Sequence, residues 1–267
     1  MKDQRQTIED LEKIRKNAPL VHNITNYVVM NSTANALISL GASPVMAHAV
    51  EEVEEMVGLA SALVINIGTL SEKWIEAMHL AGKAAKRKGT PVILDPVGAG
   101  ATSFRTNATK SIIEEIKPQV IRGNASEIMA IAQAGYTTKG VDSTASAEAA
   151  LDGAKDLARS AGAVVSISGK TDYITDGKEV EEIIHGHPLM GKVTGTGCTA
   201  TALIAAFAGV NNQPFAAATE AMIVMGMAGE MAGERSDAPG TFYARFIDAL
   251  YQIDEEQIKK RWKNGSR

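Results

Sequence analysis

The sequence predicts an α/β fold: a mostly parallel central sheet, helices on both of its faces, and an antiparallel hairpin at its edge. Three observations carry this. Strand-like apolar runs alternate with helix-like runs over most of the 267 residues, the pattern of parallel sheets with crossover helices. Several of those runs are continuously apolar, as strands covered on both faces must be. An Asp176-Gly177 pair separates two short strand-like runs, which is a hairpin turn signal.

The segment Met1–Lys16 is charged throughout and lacks the apolar core of a signal peptide. The first strand is expected at Leu20–Thr25 and the next at Ala62–Gly68. Thr69-Leu70-Ser71-Glu72 fits a capping box opening a helix over Leu70–Lys88. Its basic run, Lys83–Lys88, falls in the last turns, where the dipole favours cations. Strands follow at Pro91–Val97 and Gln119–Asn124. A helix is expected over Ser146–Ala161, then a strand over Ala163–Gly169. The hairpin comprises Tyr173–Lys178 and Val180–Ile184, with His185-Gly186-His187 closing it. A last strand is expected at Lys192–Gly195, followed by a small-residue helix from about Thr199 to Gly209. Beyond Gly209 the chain reads as wholly helical. Phe215–Ala232 is oily, but it carries Glu220 and Glu230 and reads as a packed helix, not a membrane span. Glu51–Glu55 reads as a solvated helix face. No linker or internal repeat appears, so residues 1–267 are expected to form a single domain.

Composition narrows the function classes. A net charge of −4 offers no electrostatic footprint for nucleic acid or an anionic membrane. One cysteine excludes an internal disulfide and points to a reducing, cytoplasmic setting. With five scattered histidines, a zinc set is poorly supported.

In open α/β sheets ligands bind beyond the carboxyl ends of strands, and polar or glycine-rich segments follow nearly every expected strand. Val193-Thr194-Gly195-Thr196-Gly197-Cys198 offers two glycines, a helix N-terminus and the lone cysteine at one point, a favourable place for phosphate. Asn124-Ala125-Ser126-Glu127 reads either as a helix cap or as a carboxylate orienting a Mg²⁺–water shell. Asp95, ahead of a proline, reads as a loop cap or as a second carboxylate. Arg122 ends an apolar strand and must meet a carboxylate or a phosphate. Cys198 is either a packing residue at a tight helix start or a group at the reacting centre. Gly169-Lys170-Thr171 mimics the end of a Walker A loop, but Val164 stands where a glycine is required. Gly195–Ala200 formally fits a dinucleotide fingerprint, yet no later βαβ unit follows it.

Taken together, Pro19–Asn26, Gly41–Met46, Asn66–Leu70, Leu94–Ala101, Ile121–Glu127 and Val193–Cys198 resemble the hydroxyethylthiazole kinases, within the ribokinase-like superfamily. The resemblance implies ATP-dependent phosphorylation of the alcohol of 4-methyl-5-(2-hydroxyethyl)thiazole in thiamine salvage. It implies Mg²⁺, with Asp95 and Glu127 near it through water. It also implies a homotrimer with sites at subunit interfaces. It places the thiazole near Asn23, Met46 and Gly195, and ATP near Arg122 and Ser168. Gly195, Gly197 and Cys198 fall at the catalytic position. Ser168 stands where threonine is common in the family, and Thr196 where alanine is common. Many superfamily members carry aspartate where Cys198 stands. The helix N-terminus is expected to lower the thiol pKa. Pyrimidine-alcohol or pyridoxal kinases, hydrate dehydratases, and a non-catalytic sensor are the competing readings.

Overall fold

The computed structural model describes residues 3–132 and 146–263. The N-terminal pair Met1-Lys2 and the last four residues of the basic tail Lys259–Arg267 lie outside the described residues. The sheet has eight strands: β1 (Leu20–Ile24), β2 (Ser43–Val45), β3 (Ala62–Asn66), β4 (Val92–Asp95), β5 (Val120–Asn124), β6 (Val164–Ser168), β7 (Asp172–Thr175) and β8 (Val180–Ile183). Their order is β2-β1-β3-β4-β5-β6-β7-β8. The first six pair in parallel, and β7 and β8 add an antiparallel edge. The hairpin turns where Asp176-Gly177 predicts. Asp176 Oδ1 accepts from the Lys178 and Glu179 N–H groups at 2.8 Å, and Gly177 takes the positive φ of 91° that glycine tolerates.

Continuous apolar strands are needed because each strand feeds two cores. In β3, Ala62 and Val64 join one core while Leu63 and Ile65 join the other. One face is covered by α3 (Val53–Leu59), α4 (Glu72–Lys88), α5 (Ser103–Ile116), α6 (Ala125–Ala132) and α7 (Leu151–Ala161). The other is covered by α1 (Gln4–Asn17), α2 (Met30–Leu40), α8 (Thr196–Ala208), α9 (Pro214–Gly233), α10 (Pro239–Gln252) and α11 (Glu255–Arg261). No described residue after Gly209 lies in a strand.

Several expectations need correction. Lys192–Gly195 is not a strand: Pro188–Lys192 forms a 3₁₀ turn, with His187 Nδ1 accepting from the Leu189 N–H at 3.3 Å. Proline at its first position favours that start over a sheet edge. Helix α8 therefore begins at Thr196, three residues before the expected Thr199. The helix after β3 is capped by Ser71, whose Oγ accepts from the Trp74 N–H at 3.3 Å. Thr69 instead accepts from the Tyr27 N–H at 3.2 Å, so Thr69–Glu72 is not a capping box. His185 and His187 do not close the hairpin; they leave β8 and pack on α9. Two elements carry weak sequence signals. Strand β2 is three residues long at the sheet edge, where Pro44 costs no interior ladder bond. Helix α1 is highly charged, and buries only the stripe Thr7, Asp10, Leu11 and Ile14.

Candidate active site

Parallel pairing brings the strand ends level. Asn66 pairs with Asp95 across β3–β4, and Asn124 with Ser168 across β5–β6. Beyond these ends, Gly195 leads into helix α8, its φ of 85° turning the chain into the helix. No side chain caps α8. The first intrahelical bond is Thr199 N–H to Gly195 O at 2.8 Å, so the N–H groups of Thr196–Cys198 lack intrahelical acceptors. A cavity of about 810 Å³ opens here, lined by Asp95, Arg122, Glu127, Ser168, Gly195 and Cys198 among others. Ile184, Met190, Met222 and Met225 line it as well, together with His185 and His187. A second cavity, of about 740 Å³, lies beside Lys13, Gln119 and Asn211. None of the strand-end residues lines it, so the former is the chemical site.

Arg122 is buried, and its Nη2 donates to Ser168 Oγ at 2.6 Å. Its Nε has no partner, and among the described residues no carboxylate lies within ion-pair distance. Of the two partners expected for Arg122, a carboxylate is therefore not the one in contact. A buried guanidinium with an unused donor suits a phosphate. Gly197 makes room for it, since a Cβ there would stand 2.7 Å from Arg122 Nη1.

The cap read at Asn124–Glu127 exists. Asn124 Oδ1 accepts from the Glu127 N–H at 2.9 Å, and Glu127 Oε2 from the Asn124 N–H at 2.8 Å. Glu127 Oε1 also accepts from the Gly98 N–H at 2.8 Å. Burial, and then the charge of Asp95, push the Glu127 carboxyl up to about 7. Asp95 is no loop cap. Its Oδ2 accepts from Asn66 Nδ2 at 2.9 Å and Thr201 Oγ1 at 2.8 Å, and burial raises its pKa. Two buried carboxyls that repel each other's ionisation would both be favoured in the charged form by a cation. No cluster of three His, Cys, Asp or Glu side chains that could hold a metal occurs among the described residues. That donor set fits Mg²⁺, which takes one or two carboxylates and keeps waters and substrate phosphates.

Cys198 departs from expectation. Burial, followed by the Asp95 charge, pushes its thiol up to about 12, so the net shift runs opposite to the lowering expected from a helix N-terminus. Asn26 Nδ2 approaches Sγ at 3.6 Å and is itself held by Asn66 Oδ1 at 2.9 Å. Sequence reasoning did not single out Thr201 or the Asn26–Asn66 pair. The one available signal was the Asn-rich strand ends at Asn26 and Asn66. Asn23 and Met46 do not line the cavity. Each stands one residue beyond the His22–Val45 pair at the β1–β2 end, where Asn23 Nδ2 donates to Val21 O at 2.8 Å and its Oδ1 is buried without a partner. Gly195 does line the cavity, and a Cβ there would stand 2.9 Å from Val29 Cγ1.

Comparison with known proteins identifies the family. Residues 11–256 match the model of the hydroxyethylthiazole kinase family. A hydroxyethylthiazole kinase of Leptospira biflexa serovar Patoc (strain Patoc 1 / Ames) is 55% identical over 255 residues, 96% of each chain. The solved hydroxyethylthiazole kinase protein from Pyrococcus horikoshii OT3 superposes with a TM-score of 0.89 at 44% identity, covering 97% of this chain and 98% of that one. A ribokinase-like superfamily protein from Enterococcus faecalis V583 shares the fold, with a TM-score of 0.63 at 14% identity over 92% of this chain and 95% of that one. The fold is thus ribokinase-like, and the chain belongs to the hydroxyethylthiazole kinase family.

Proposed function

We propose that the protein is a hydroxyethylthiazole kinase, transferring the γ-phosphoryl group of ATP to the alcohol of 4-methyl-5-(2-hydroxyethyl)thiazole. The observation that carries this is the buried Arg122, whose Nε has no hydrogen-bond partner and which makes no ion pair among the described residues, beside the uncapped start of α8 at Gly197. An anionic group beside both would receive a guanidinium and backbone N–H donors together. Ser168 holds the guanidinium, so Arg122 and Ser168 act as one ATP-binding pair. Mg²⁺ near Asp95 and Glu127 would neutralise charge on the phosphates.

The chain's own residues account for the remaining steps. Gly195 and Gly197 let the α8 amides approach the transferred group. Cys198 stands at the reacting position as a weak acceptor or relay of the alcohol proton. Its high pKa is tolerable because phosphoryl transfer has a loose transition state, with positioning and charge neutralisation supplying most of the rate. Asn23, Met46 and Gly195 form the thiazole subsite, in which the unpartnered Asn23 Oδ1 offers an acceptor.

Asn23 and Met46 of that subsite do not line the cavity within one chain, which supports completion by a neighbour in a homotrimer. Tyr27 and Val28, exposed beside it, supply apolar surface for that contact. Residues 1–267 are read as one kinase domain, supported by the single sheet. The lone cysteine supports a cytoplasmic location. Among the described residues no helix is long and apolar enough to cross a membrane. The charge balance supports small molecules over nucleic acid as partners.

A coupled ADP-release assay tests the reading with the thiazole alcohol, a pyrimidine alcohol, pyridoxal and no acceptor. Release that depends on the thiazole is expected. Equal release without an acceptor, or preference for another acceptor, overturns it.

A further inference from the structure

The wall of the cavity between His185 and Met190 lies against α9, where the helix has no side chains in the way. A Cβ at Gly226 would stand 2.5 Å from His185 Cβ, and Cβ atoms at Gly229 and Gly233 would collide with Met190 Sδ and the His187 ring. These glycines fall three and four residues apart, on one face of the helix. Between them Glu230 reaches the same wall. Its Oε1 lies 3.1 Å from His185 Nδ1 and 3.4 Å from the Gly186 N–H. His185 is nearly fully buried, with 3% of its side chain exposed. Glu230 in turn is held from outside by Lys263 Nζ, just past α11. Arg261 Nη1 stands 4.0 Å from Glu230 Oε2 and forms a two-bond pair with Glu234 at 2.6 and 2.7 Å.

These partners hold the Glu230 carboxyl down at about 2 against the opposing effect of burial, so it is ionised and can only accept. His185 Nδ1 must therefore donate, which fixes the ring orientation and leaves Nε2 as an acceptor in the neutral ring. We propose that Glu230, held by Lys263, is a positioning residue for the nucleotide: it orients His185 and the Gly186 N–H in the cavity wall, so the chain's C-terminal segment sets nucleotide affinity. This rests on the reading that the cavity takes ATP. The glycine face removes steric spacing between wall and helix, and the carboxylate fixes the register of the one against the other.

The test uses Glu230→Ala, Glu230→Gln and Lys263→Met in the full chain. Calorimetric titration with ADP reads binding without turnover, and steady-state assays separate the KM values for ATP and alcohol from kcat. Loss of one charged hydrogen bond predicts ADP binding and the ATP KM weakened about tenfold in Glu230→Ala. The alcohol KM should be unchanged. Lys263→Met should shift the same way by less. Glu230→Gln keeps an acceptor for His185 Nδ1 and should recover most of the affinity. Equal ADP affinity in wild type and all three variants overturns the clamp alone, as does a parallel rise in the alcohol KM. Wild-type protein that binds no ADP overturns the nucleotide reading, and the clamp with it. Should Glu230→Ala fail to fold, the other two variants still decide.

Discussion

Gly197 is the residue at which sequence and space meet most directly. Its backbone needs no positive φ, so alanine is allowed there, but the new Cβ would displace the far end of Arg122. Gly197→Ala should therefore fold normally while pulling the guanidinium from Ser168. A rise of about tenfold in the ATP KM is expected, the scale of one charged hydrogen bond. Steady-state kinetics alongside thermal melting check this. Cys198 sets a second expectation at this scale. An aspartate at that position ionises more readily than a thiol pushed up to about 12. Cys198→Asp should keep or raise kcat. Cys198→Ala should lose less than about 10³-fold, within the range for removing a general base. A Cys198→Asp enzyme that binds ATP but does not turn over would sink the proton-acceptor role.

At the scale of elements, α1 and α9 are joined by a buried carboxyl pair. Asp10 and Glu220 are almost wholly inaccessible, and Lys13 Nζ and Asn211 Nδ2 each donate to Asp10 at 2.6 Å. Burial pushes the Asp10 pKa up, but bonds from Lys13, Glu220, Gln6 and Asn211 outweigh it and lower the pKa. Glu220 takes the opposite course: burial and then Asp10 raise it from 4.5 to about 9. Its folded-state pKa lies above the ordinary value, so its contribution to stability is complete below pH 4.5 and is lost as pH rises toward 9. Glu220→Gln keeps the shape without the proton. Its Tm should match wild type near pH 5 and exceed it near pH 9, as calorimetric melts over that range would read. An unchanged difference across the range would remove Glu220 from the pH response. Sequence pattern marks Phe215–Ala232 as a packed helix in spite of its two glutamates. It gives no sign that one is paired with Asp10 and the other with His185, because both partners are remote in the chain.

At the scale of the whole molecule, the proposed trimer has a direct consequence. The native mass by light scattering should be three times 28.2 kDa. Val28, 64% exposed and close in the chain to Asn23, is the position to disturb. Val28→Glu would bury a charge in the proposed contact, and should give monomers with a lowered rate. Trimers that persist unchanged in this variant would move the interface elsewhere.

The sequence by itself determined the alternating α/β plan, the edge hairpin and the glycine loop before α8, and it offered the Asn124–Glu127 cap as one of two readings. Each is a local matter: strand periodicity, turn chemistry, or a side chain reaching its own backbone three residues away. Only the tertiary structure decided that Asp95 is held by Asn66 and Thr201 and is no loop cap. It also decided that Arg122 lies against Gly197 with no ion pair among the described residues, and that Cys198 is raised in pKa where a helix start alone would lower it. It turned Lys192–Gly195 from an expected strand into the end of a 3₁₀ turn and a glycine-led helix start. These outcomes depend on burial and on charges brought together from distant strands, and no local pattern encodes either.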